Sequence, residues 1–144
     1  GRGAGEEYAR LRQWEVAVLS TLKELNLIPH HISTVVDKEV YHSFCDGHLL
    51  HSFLSVIATK EVKGVDVDVR ARGVAVANVR KVIAASQDFS SMPRHDVEVE
   101  AEAIYRGDWI TLVSLLRDLH RCFLGTPASV KRGEAEYASG KEGG

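Results

Sequence analysis

The sequence predicts an all-α fold: a compact helical bundle, with a small β-hairpin-like insertion around 62–72 and 96–101. Three observations carry this prediction. Two long stretches, "YARLRQWEVAVLSTLKELNL" and "GDWITLVSLLRDLHRCFLG", repeat apolar residues at the helical period. Asp-Gly, Gly-Asp and three prolines punctuate the chain where helices should begin or stop. Two short stretches, "VKGVDVDVRARG" and "DVEVEAEA", alternate apolar and charged residues with period two, the spacing of a strand. With 144 residues, 44% of them hydrophobic, the chain is long enough to bury one core.

The ends differ from the middle. Residues 1–7 and 125–144 are rich in Gly, Ala, Ser and charge, and are expected to be flexible, the second as a tail or linker. This leaves a folded unit over 8–124. Its first helix places Tyr8, Leu11, Trp14, Val18, Leu19, Leu22 and Leu25 on one face and ends before Pro29. A weaker helix is expected over 31–44, capped by Ser33 or Thr34, with Val36, Val40 and Phe44 at intervals of four. Asp46 is a good N-cap for a third helix over 47–58, whose core face holds Leu49, Leu50, Phe53, Leu54, Val56 and Ile57. The alternating stretches set Val65, Val67, Val69 and Ala71, and then Val97, Val99, Ala101 and Ala103, on one side each. They can pair as a small antiparallel sheet. Between them, 74–87 reads as a helix containing Asn78, and Pro93 breaks the loop after it. In the last helix, capped by Asp108, the residues Trp109, Leu112, Val113, Leu115, Leu116, Leu119 and Phe123 form a face wide enough to lie deep in the core. Gly125 and Pro127 end it.

The residues that invite chemistry are few. "HSFCDGHLLH" spaces His42, Cys45, His48 and His51 by three. A structural zinc site needs four converging ligands, usually two spaced pairs on a turn, and a steady step of three smears side chains around a helix. His42 and Cys45 also precede the Asp46 cap, so they belong to a different element. No metal or cofactor is expected, and Cys45 is expected to be a small buried residue. Phosphate-loop, dinucleotide, nucleophile-elbow and zincin patterns do not occur. Asp96, Glu98, Glu100 and Glu102 would share one strand face, yet lack the glycine turn of a calcium loop. His120 and Cys122 are two apart and cannot face each other on a helix. The expectation is a protein that is not an enzyme. The net charge of −2 argues against a dedicated nucleic-acid binder. The two cysteines, the missing signal pattern and the missing apolar run point to a cytoplasmic protein without a membrane partner.

The order of these pieces resembles a calponin-homology domain. Trp14 stands in the first helix; Asp46-Gly47 opens a helix of the form DGxxLxxLxxxI with Leu50 at its place. Asn78 stands near the head of a central helix, and Ile104, Gly107 and Asp108 lead into the long final one, which begins with Trp109. The resemblance covers about 11–123. The 60–73 stretch and the acidic stretch before Ile104 depart from the family's pattern. The resemblance implies structural roles for Trp14, Asp46, Gly47, Asn78, Gly107, Asp108 and Trp109.

It also implies a non-enzymatic interaction module of a cytoskeleton-associated protein. A single copy points to microtubule, axoneme or flagellum contact ahead of actin binding. Microtubules are acidic, so a reader of them needs exposed basic residues. Lys60, Lys63, Arg70, Arg72, Arg80 and Lys81 are the candidates, with Arg117 and Arg121 extending them. The alternative is an adaptor that docks another scaffold protein without touching a filament. It would present an apolar surface, for which Val16, Leu27 and Ile110, off their helices' apolar faces, are the candidates.

Overall fold

The computed structural model of the chain describes residues 2–59, 62–66 and 68–143. Among them are seven helices and no strand: α1 (Arg2–Glu24), α2 (Tyr41–Cys45), α3 (His48–Ala58), α4 (Arg72–Ser86), α5 (Val97–Tyr105), α6 (Trp109–Leu124) and α7 (Ala128–Gly143). The all-α class is as expected. None of these helices is long and apolar enough to cross a membrane.

α1 and α6 pack on each other and form the centre. Leu11, Trp14, Val18, Leu19 and Leu22 of α1 are buried against Leu112, Val113, Leu115, Leu116 and Leu119 of α6. The stripe expected on α1 is correct except at its start, where Tyr8 stays exposed and lies over the Trp109 ring at 5.0 Å. Asp108 caps α6, accepting from the Ile110 amide at 3.1 Å and from the Thr111 hydroxyl at 3.0 Å. α3 supplies Leu49, Leu50, Phe53 and Leu54 to the same core. α4 packs between α3 and α5 with Val76, Val79, Val82 and Ile83 buried.

Four expectations are corrected. The first is the hairpin. Residues 97–105 form a helix, and the described residues of 62–71 are irregular. The alternation V-E-V-E-A-E-A-I also contains Val97, Ala101 and Ile104 at i, i+4 and i+7, and this helical stripe is the one turned inward. Val99, which a strand would have buried beside Val97, is 65% exposed. Asp96 caps the helix by accepting from the Val99 amide, and Glu98 and Glu100 in the first turn suit its positive end. The second is the helix over 31–44, which shrinks to Tyr41–Cys45. The Val35 amide and the Thr34 hydroxyl bond the Glu15 carboxylate instead of a helical ladder. The third concerns the ends. Among the described residues helix α1 begins at Arg2 rather than near Tyr8, and a helix, α7, follows α6 and packs on α1 with Val130 buried. The fourth is small. Gly47, in the left-handed region at φ 86°, is the N-cap of α3, and Asp46 serves the helix from one residue further back, accepting from the His48 amide at 2.9 Å.

Candidate functional site

Buried polar side chains act first as joints between elements. Glu15, 1% exposed, accepts from the Thr34 hydroxyl at 2.8 Å, the Val35 amide at 2.9 Å and the Trp109 indole at 2.9 Å, and pairs with Arg12. Asn78 is fully buried. Its amide donates to the carbonyls of Asp46 and Asp66, and its oxygen accepts from the Asp66 amide at 2.9 Å. It thereby ties α4 to the α2–α3 junction and to the 62–71 segment. Gly47 lies against it; a Cβ there would come within 3.0 Å of the Asn78 Cβ. His120 lies between the Thr21 hydroxyl and the Gly125 carbonyl, 2.9 Å from each, with its ring edge-on to Trp14. Burial holds it below the usual imidazole range, against the upward pull of the Gly125 carbonyl.

The histidine–cysteine stretch divides as its position relative to Asp46 implies. His42 and Cys45 lie on α2, and His48 and His51 on α3. The His48 ring is 3.1 Å from the Asp66 carbonyl and 3.2 Å from Asp46. Cys45 is buried, and burial raises its thiol above the ordinary range despite the Tyr41 hydroxyl, which favours the thiolate. No three His, Cys, Asp or Glu side chains among the described residues are grouped to hold a metal ion.

Most of the basic candidates that are described have partners. Lys60 lies outside the described residues. Arg80 pairs with Glu98 of α5 at 2.8 Å, and Lys81 reaches the Gly64 carbonyl. Arg117 and Arg121 both turn to Asp118, at 3.0 and 3.4 Å, and Arg121 also lies 5.4 Å over the Trp14 ring. Lys63 is exposed. The carboxylates of α5, which a strand would have placed on a separate face, are what offset Arg80 and Arg72.

Two of the candidates do converge, with a third arginine the sequence reading did not single out. A cleft of about 510 Å³ opens between α2, the 69–72 segment leading into α4, and the α5–α6 turn. Arg70, Arg72 and Arg106 line it together with Tyr41, His42 and Tyr105; Asp46 is the acid among the described lining residues. Arg72 pairs with Glu102 and stacks over the Tyr105 ring at 5.3 Å. Arg70 pairs with Asp68 at 3.0 Å, but that pair stands open to water at 88% and 76% exposure, so it is weak and exchangeable. Asp46 is already engaged with the His48 amide. The first turn of α4 begins at this cleft with no side-chain cap and no acidic residue of its own. Gly107, at φ 83°, lets the turn pass over Tyr41: a Cβ on Gly107 would overlap the tyrosine hydroxyl. The aromatic walls, the three guanidinium groups and the helix end together favour an anionic surface group.

Arg106 carried no signal except its place one residue before the Gly107-Asp108 cap. Glu15 did carry one, as a carboxylate set inside an otherwise apolar face, whereas Asp118 stands with Thr111 and Ser114 on the polar side of its helix. No family model matches the chain, and neither a curated protein nor a solved structure is detectably similar to it.

Proposed function

We propose that the chain is a non-enzymatic interaction domain of the calponin-homology type, which contacts an acidic surface of a cytoskeletal partner through the arginine cleft. Microtubules, including those of an axoneme or flagellum, are favoured over actin. The convergence of Arg70, Arg72 and Arg106 between Tyr41 and Tyr105 supports this reading. So do the family-matched residues, which serve as caps, joints and core: Asp108 caps α6, Asn78 joins three segments, Gly107 accommodates Tyr41, and Trp14 is buried. The overall charge of −2 makes the attraction local to the cleft rather than a property of the whole surface.

A second reading has its own observation. Val16 and Ile110 are exposed, while Leu27 packs on the core. Val16 follows Glu15 and Ile110 follows Trp109, two residues joined by a hydrogen bond of 2.9 Å, and this supports an adaptor that docks another protein without filament contact.

Co-sedimentation with taxol-stabilised microtubules and with actin filaments, at low and moderate salt, separates the two. The expected result is salt-sensitive pelleting with microtubules. Reversing Arg70 and Arg106 together to Glu should weaken it by about tenfold or more, about 1.4 kcal/mol. Arg80→Gln, which removes an arginine already paired with Glu98, should change it little. No pelleting with either filament sinks the filament reading and leaves the adaptor.

A further inference from the structure

The segment 87–96 crosses from the end of α4 to the start of α5 and lies along α6. Its grip is partly apolar. Met92 is buried, the Phe89 ring stands edge-on to Phe123 at 4.7 Å, and the Ser91 hydroxyl is 3.0 Å from the Cys122 sulfur. At its far end sits His95, whose side chain is 6% exposed. The Nδ1 atom is 2.6 Å from a Glu100 oxygen of α5, and Nε2 is 2.9 Å from an Asp118 oxygen of α6. The Asp118 side chain is equally buried.

A neutral imidazole has one N–H and one lone pair. Placed here, one nitrogen would turn its lone pair toward a carboxylate with little water to intervene. The imidazolium donates from both nitrogens and satisfies both acids. We infer that His95 is a protonated latch, holding 87–96 closed across α5 and α6 and releasing it when the ring loses its proton.

The other groups around the ring agree with this. At the C-cap of α4, the Gln87 side chain accepts from the His95 amide at 3.1 Å and donates to the Pro93 carbonyl at 3.2 Å, which fixes the backbone so that the ring meets both acids. From α6, Arg117 and Arg121 take the second oxygen of Asp118, leaving the first for His95. Within the segment itself Asp88, Arg94 and Asp96 are exposed, and Asp96 is engaged as the cap of α5. The bond to Asp118 raises the imidazole above its usual range, burial works against it, and Glu100 adds to the rise. Whichever nitrogen keeps the last proton, one of the two links becomes a repulsion. The segment then loosens from α6 and uncovers Met92, Phe89 and the Cys122–Phe123 edge. The latch thus closes at lower pH and opens toward alkaline pH.

The test is a ring-resolved NMR titration of the full chain combined with amide hydrogen exchange over 87–96, corrected for the pH dependence of intrinsic exchange. His95 is expected to titrate above the ordinary imidazole value of about 6.5, with both nitrogens protonated on the acid side. Protection of 91–95 should fall as it titrates, while protection in the middle of α6 stays unchanged. By linkage, the opening equilibrium should shift by the factor separating the closed and open proton affinities. His95→Gln should give a segment whose protection no longer follows pH. Should that variant fail to fold, Glu100→Gln keeps most of the packing and should lower the His95 titration point. A ring that titrates at or below the ordinary value, or protection of 91–95 that stays constant through its titration, overturns the latch.

Discussion

The Glu15 carboxylate joins three separate parts of the chain: α1, the 33–36 segment and α6. Its neighbours on α1 are apolar, and a charge at this place is tolerated because three donors from the 33–36 segment and α6 converge on it, with Arg12 beside it. Replacing it with Ala leaves the Val35 amide and the Trp109 indole without their acceptor inside the protein. Buried donors of this kind cost about 1–3 kcal/mol each. Glu15→Ala is therefore expected to lose about 3 kcal/mol or more in urea unfolding, and Glu15→Gln, which keeps one acceptor, clearly less. A loss below about 1 kcal/mol for Glu15→Ala would mean that water replaces the carboxylate at little cost. The residue was legible only in part. A glutamate inside an apolar stripe marks a buried acid in search of donors, but its donors lie 19 to 94 residues away in sequence, beyond the reach of periodicity.

The elements divide by how their apolar residues are spaced. α1, α3 and α6 have wide apolar stripes, and each was readable from its own residues because local propensity and burial agree. α5 was not, because its residues satisfy two periods at once. The choice was made by what Ala101 and Ile104 pack against, which no local pattern contains. The arginine cleft was half legible for a related reason. Arg70 and Arg72 stood out as a basic run, but Arg106 joins them only through the approach of the α5–α6 turn to α2. α7 is the extreme case. Its polar composition reads as a tail, and its docking on α1 rests on an anchor, Val130, that is 1% exposed. Val130→Ala removes two buried methyl groups, so a loss of about 1–2 kcal/mol is expected. Exchange protection in α7 should fall more than protection in α3. An unchanged melting temperature would mean that α7 contributes no stability through this contact.

At the scale of the whole molecule, the two buried histidines set opposite limits on stability with pH. His95 gains affinity for its proton on folding, chiefly from Asp118 and Glu100. Its contribution is complete below the unfolded imidazole value, about 6.5, and is lost as pH rises through its folded value. His120 loses affinity on folding because burial outweighs the bond to the Gly125 carbonyl. Its contribution is complete above about 6.5 and is lost as pH falls through its folded value. Asp118 adds a third limit at lower pH. Burial raises its carboxyl, but His95 and Arg117 together outweigh this and leave it below the ordinary range, so its contribution disappears as pH falls through that lowered value. The melting temperature should therefore peak close to the ordinary imidazole value and decline on both sides. His95→Gln should flatten the first part of the alkaline decline, and His120→Gln the first part of the acid decline, each leaving the other side in place. Thermal melts in matched ionic strength across the range check this directly. Two variants that shift the whole curve without changing its shape would show that neither imidazole differs between the folded and unfolded chain.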